Sequence, residues 1–199
     1  MANRNTAGFG FRQSGTLGNT PATQGLSQYW IDSAATVNLY NGMAMKSTGG
    51  YMITGESATT VTTIGVLYGI YYNAASTNKP TWAHWYDATI TPANSEDTQA
   101  FVNDYPFQKY TIASDAAVAA NVPAAHVKYM ETFSVSANTG GSTSTGRSST
   151  TLDIGATNAT SHSWRLLRSA EEIENSDLTA AFCSLEVVQN LSEFVGSGT

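Results

Sequence analysis

A chain of 199 residues, 41% hydrophobic and only 12% charged, has room for one domain with a substantial core and is too apolar for disorder. Its net charge of −6, from 9 basic and 15 acidic residues, argues against a nucleic-acid partner, because phosphate contacts need clustered Lys and Arg. The densest basic pair is Arg165 and Arg168, and no run of about 18 apolar residues offers a helical membrane span.

Residues 1–28 are rich in Gly, Asn, Gln, Ser and Thr and hold few large apolar side chains. They read as an extended N-terminal arm, ahead of a single β-domain over 29–199. Phe9 and Phe11, one residue apart, would share one side of an extended strand. They either tuck against the body or anchor to a neighbouring subunit.

From Tyr29 the pattern is that of strands. YWID and TVNLYNGMAMK come first, with Asn41-Gly42 as a turn dipeptide. Gly49-Gly50 marks another turn before YMITG. TTVTTIGVLYGIYY (59–72) is β-branched and aromatic, and WAHWYDATITP (82–92) reads as a further strand ended by Pro92. AFVNDYPFQKYTIA (100–113) follows. SDAAVAANVPAAH (114–126) suits a short helix, capped by Ser114 or Asp115 and stopped by Pro123. VKYMETFSVSA (127–137) alternates with period two. SAEEIENSD (169–177) suits a turn, and AFCSLEVVQNLSEF (181–194) a final strand. Some eight short strands punctuated by Gly, Asn and Pro predict an all-β, antiparallel sandwich or barrel, with a jelly roll as one candidate form.

Several stretches invite a chemical reading. In GGSTSTGRSSTTLD (140–153), Gly141, Gly146, Arg147 and Ser148 fall at P-loop spacing. A P-loop needs a lysine and a following helix. Here Arg147 replaces the lysine, and SSTTLDIGAT is β-branched, so the stretch reads as a flexible loop with Arg147 free to meet a partner. His84, His126 and His162 lack metal-ligand spacing. Ser148, Asp153 and His162 make a Ser-His-Asp set on paper only, since no G-x-S-x-G elbow is present. Glu96-Asp97 and Glu171-Glu172 are adjacent and would point apart on a strand. Trp82, Trp85 and their neighbours offer a sugar platform or, more simply, core packing.

Cys183 stands alone, so no internal disulfide forms, and its setting suits a packed small hydrophobe. MANRNTAGFGF lacks the apolar core of a signal peptide, which is read as synthesis in a reducing cytoplasm. The sequons at Asn158 and Asn190 are what chance makes in such a composition.

Taken in order, MANRNTAGFGFR, NGMAMK, IGVLYGIYY, AFVNDYPFQKYTIAS, GGSTSTGRSSTTLD and SWRLLRSAEEIENSDLTAAFCSLEVVQNLSEF cover nearly the whole chain. This ordered set resembles the decoration, or cement, proteins of tailed-phage heads. The resemblance implies a non-enzymatic virion protein without cofactor or metal. Such a protein is made in the host cytoplasm, binds the outer lattice of the major capsid protein as a homo-oligomer (trimer or dimer), and touches neither nucleic acid nor membrane. A tail or adaptor subunit and a carbohydrate-binding β-module are the alternatives. Interface roles are expected for Phe9, Phe11 and Arg12 in the arm and for Arg147 in the loop. Removal of residues 1–12 is expected to weaken attachment and leave the β-body folded.

Overall fold

The computed structural model describes residues 3–19, 25–55, 62–136, 138, 140–155 and 162–195. In chain order the strands are β1 (Arg12–Thr16), β2 (Ser27–Ile31), β3 (Ala44–Thr48), β4 (Tyr51–Thr54), β5 (Gly65–Ala74), β6 (Lys79–Ala83) and β7 (Thr98–Asn103). They continue as β8 (Gln108–Ala113), β9 (Thr132–Phe133), β10 (Val135–Ser136), β11 (Thr151–Leu152), β12 (Trp164–Ser169) and β13 (Ser184–Gln189), with the α-helix α1 (Val122–Val127) before β9.

The all-β antiparallel class holds. One sheet runs β3-β4-β2-β7-β5-β6, and β3 also pairs with β5 through Ala44↔Val66 and Met45↔Gly65. That pairing closes five strands into a barrel, where a jelly roll would stack two open sheets. Among the described strand pairings of this sheet, β2–β4 alone is parallel. Gly65 sits where closure is tightest: a Cβ there would lie 2.0 Å from the Asn103 carbonyl oxygen, so the close approach admits no side chain. Ile31, Met43, Met45, Met52, Leu67, Ile70 and Val102 fill the barrel. β6 is left as an edge strand and carries Lys79 and Pro80, residues that discourage further pairing.

The second sheet is open and runs β1-β8-β13-β12-β9, all antiparallel. β13 is its centre, with Ser184 through Val188 all buried. Tyr110, Ile112, Phe133, Trp164, Leu166, Leu185 and Val187 form its core, which Ala44 and Val66 of the barrel also join. The two sheets therefore pack through a shared apolar contact at β3 and β5.

Several elements differ from the sequence reading. Residues 12–16 are a strand of the open sheet, pairing Arg12↔Thr111 and Thr16↔Gln108, and Phe11 belongs to its core at 4% exposure. The start of the N-terminal segment is therefore structural, and the expectation that the body folds without residues 1–12 does not stand. α1 begins near Pro123, with Asn121 as its cap, accepting a bond from the Ala124 N–H at 3.0 Å. Proline fits a first helical turn, where its missing N–H has no partner to lose. The residues offered as caps are engaged elsewhere: the Ser114 hydroxyl meets the Cys183 sulfur at 3.2 Å, and Asp115 accepts from the Ile154 N–H.

The single strand expected over 127–137 is broken. Val127 ends α1, Met130 adopts a positive φ of 70°, and only β9 and β10 follow. Thr132, Phe133, Ser134 and Val135 are all buried, because β9 joins the open sheet whereas β10 pairs with β11. The strand expected over 82–92 begins earlier, at Lys79, and stops at Ala83. Residues 59–61 of another expected strand, and the Asn158 sequon, lie outside the described residues. The second sequon residue, Asn190, donates to the His162 carbonyl and accepts from Arg165.

Candidate binding surface

The four residues singled out from the sequence meet at one place. Phe9, Phe11, Arg12 and Arg147 line a single cleft of about 190 Å³, together with Gln13, Asn41, Val66, Leu67 and Tyr68. The convergence follows from the glycines of Gly8-Phe9-Gly10-Phe11. Gly10 has φ of 73°, and a Cβ there would lie 2.9 Å from the Gly42 carbonyl oxygen and from the Ser148 Cβ. A side chain at Gly8 would collide with the Ser149 carbonyl oxygen. Without side chains, the segment runs directly against the 148–150 backbone, with Gly10 N–H on the Thr150 carbonyl and Phe11 N–H on the Gly42 carbonyl.

The left-handed turn at Gly10 also separates the two phenylalanines, which do not share one side. Phe11 is spent on the core and offers no anchor to a neighbouring chain. Its ring lies 4.1 Å from Trp164 and edge-on to Tyr110 at 5.7 Å. Phe9 stays half-buried, with the Arg12 guanidinium 3.8 Å above its ring, a cation–π contact that fixes the arginine at the cleft's edge.

The loop supplies Arg147. Its 140–150 stretch is pinned between β10 and β11 by Gly141↔Ser148 and Asn41↔Arg147 bridges. The Asn41 N–H donates to the Gly146 carbonyl and the Ser148 N–H to the Asn41 carbonyl, each at 2.9 Å. Asn41-Gly42, legible as a turn, is thus also the clamp that places Arg147. Gln13, Asn41 and Tyr68 join the cleft without a sequence signal of their own. Nothing in their local pattern announces the cleft, which is made by contacts distant in sequence.

Two guanidiniums share this edge. Burial and, next, the nearby Arg147 charge lower the Arg12 pKa, opposed more weakly by the charge of Glu172. Neither arginine forms an ion pair among the described residues. Arg12, Thr111, Glu186 and Arg168 lie in one cross-strand row. Glu186, the acid in that row, is already held by Arg168 at 2.8 Å and Lys109 at 3.8 Å.

The chemical candidates resolve differently. The segment after Arg147 leads into strand β11, not a helix, so the P-loop spacing has no P-loop geometry. The buried Ser148 hydroxyl is within 2.6 Å of that of Thr150 and accepts the Thr150 N–H at 3.0 Å, an arrangement of loop structure. Asp97 accepts from the Ser33 N–H and the Tyr51 hydroxyl, and Glu172 accepts from the Ser184 hydroxyl. No cluster of His, Cys, Asp and Glu suited to a metal occurs among the described residues. The 82–86 aromatics form no common platform: Trp82 is exposed, Trp85 stacks on Tyr40 at 5.3 Å, and Tyr86 is buried.

Cys183 is fully buried, and burial is the main cause of its raised thiol pKa. A thiolate reagent is therefore expected to leave native protein unlabelled and to label one thiol per chain in urea. Labelling of the native protein at the unfolded rate would contradict this burial. No family model matches the sequence, and neither a curated protein nor a solved structure matches it.

Proposed function

We propose that this chain is a non-enzymatic virion structural protein that decorates the outer surface of a tailed-phage head. In this reading it binds the major capsid protein and further copies of itself, as a dimer or trimer. The observation that carries the reading is the cleft where Arg12 and Arg147 converge with no carboxylate in ion-pair contact with either among the described residues. In a protein of net charge −6, two such cations at one edge favour an acidic side chain from another surface. Arginine suits this role, because its planar fork holds a carboxylate through two parallel bonds.

Phe9 and Tyr68 border the same cleft and supply the aromatic contact typical of strong interface positions. The ordered sequence landmarks supply the tailed-phage context. A low-charge surface suits packing against protein, and repetition across a lattice multiplies modest single contacts.

Purified protein added to expanded heads that lack it is expected to bind to saturation. The Arg12→Glu, Arg147→Glu double variant is expected to bind at least tenfold more weakly, about 1.4 kcal/mol, with its melting temperature measured beside it to separate a lost contact from a lost fold. Absence of saturable binding, or binding confined to tails, removes the reading.

A further inference from the structure

The outside of the barrel carries a feature that head attachment does not use. Cross-strand partners lie on the same face of a sheet, and the pairs Trp82↔Tyr71, Tyr71↔Gln99, Gln99↔Trp30 and Trp30↔Tyr51 form one continuous row across β6, β5, β7, β2 and β4. Ile70, Ala100, Ile31 and Met52, each adjacent in its strand to a member of the row, are buried inside the barrel. The row therefore faces outward, and Trp30 is 48% exposed. Trp30, Tyr51, Tyr71 and Gln99 line a groove of about 510 Å³, whose charged lining residues are Glu96 and Asp97.

We infer that this groove binds a neutral oligosaccharide, with Trp30 and Tyr71 as platforms for two sugar rings and Gln99 and Asp97 as the polar groups between and beside them. Tyr71 and Trp30 are separated by two strand steps, roughly 10 Å, about the span of a disaccharide. Aromatic faces pack against the apolar C–H faces of pyranose rings, and a few polar groups then fix orientation. The Gln99 amide has no protein hydrogen bond among the described residues, which leaves donors and an acceptor for sugar hydroxyls. Asp97 accepts from Ser33 and Tyr51 and retains lone pairs for a further hydroxyl donor.

Charge and shape narrow the ligand. Glu96 and Asp97 disfavour sulfated or uronic sugars by like-charge repulsion. A quaternary ammonium wants rings that enclose it. Here the aromatics stand in a line across the sheet. Trp82 contacts Tyr68 and Phe101, whereas Trp30, Tyr51 and Tyr71 make no ring–ring contact among the described residues. This site is independent of the arginine cleft, so either can fail without the other.

The test titrates the full chain with neutral hexasaccharides (cellohexaose, chitohexaose and mannohexaose) by calorimetry, beside a heparin hexasaccharide, choline and a proline-rich peptide. Saturable binding to a neutral hexasaccharide is expected. Trp30→Ala and Tyr71→Ala should each weaken it at least tenfold, while Trp30→Phe retains most of it and the Arg12→Glu, Arg147→Glu variant is unaffected. Melting curves of the four variants are expected to match the parent. No binding to any neutral hexasaccharide, binding only to heparin, choline or the peptide, or binding unchanged in both alanine variants would overturn the inference.

Discussion

Phe11→Ala is expected to cost about 3–5 kcal/mol of folding stability, the range for removing a large buried aromatic. Phe11, Tyr110 and Trp164 form a three-ring cluster, with Tyr110 edge-on to Trp164 at 5.6 Å. Its loss leaves a cavity against Tyr110 and Trp164. Domains are stable by only about 5–15 kcal/mol, so such a cost would leave a marginal protein. Phe9→Ala, two residues away, should cost less than about 1 kcal/mol, because its ring is half-exposed and contacts Arg12 at the surface. Urea unfolding of both variants separates the two roles. Equal costs would mean that the aromatic pair acts as one unit.

Deleting residues 1–12 should be worse than Phe11→Ala alone. It also removes Asn3, which donates to the carbonyls of Asp177, Ala180 and Ala181 and accepts from the Asp177 N–H. A failed head-binding assay with that truncation would therefore report misfolding, so surface substitutions at Arg12 and Arg147 are the proper probes of attachment.

The second large effect is expected at Asn138. Its side chain is buried and ties the loop to the barrel. The amide nitrogen donates to the Ala44 carbonyl at 3.1 Å, to the Thr54 hydroxyl and to the Gly55 carbonyl. Its oxygen accepts from the Ala44 N–H at 3.2 Å and from the Thr150 hydroxyl at 3.1 Å. Asn138→Ala leaves the buried Ala44 N–H without its partner, whereas the Ala44 carbonyl keeps the Gly55 N–H at 2.7 Å. A buried group left unpaired costs about 1–3 kcal/mol, so a loss of about 1–3 kcal/mol is expected. Asn138→Asp keeps the acceptor and loses the donor, and should fall between parent and alanine variant. Because Asn138 precedes the Arg147 loop and bonds to Thr150 beyond it, Asn138→Ala should also weaken head binding without touching either arginine. A loss below about 1 kcal/mol would show that water replaces these bonds.

How much of this was legible beforehand depended on range. β-branched and aromatic runs such as Val66–Tyr72 mark strands by local chemistry, and Asn41-Gly42 marks its turn. Barrel closure through Ala44↔Val66 was not legible, because it joins residues whose own patterns say nothing about their partner. The stretch around Phe133 misled because its period-two alternation runs on in sequence, whereas α1 takes Val127 and the positive φ at Met130 breaks the extended path. Phe9 and Phe11 looked like one face because period-two reasoning assumes extended backbone throughout, and Gly10 breaks that assumption. The arginine pair was legible only as two separate candidates. Their meeting depends on Gly8 and Gly10 allowing the segment to press on the loop.

The most direct test of head decoration is a cryo-EM map of heads saturated with this protein. Density is expected on the outer capsid surface, with Arg12 and Arg147 turned toward an acidic side chain of the capsid lattice or of an adjoining copy. Density confined to the tail, or both arginines facing open solvent in every copy, would contradict it.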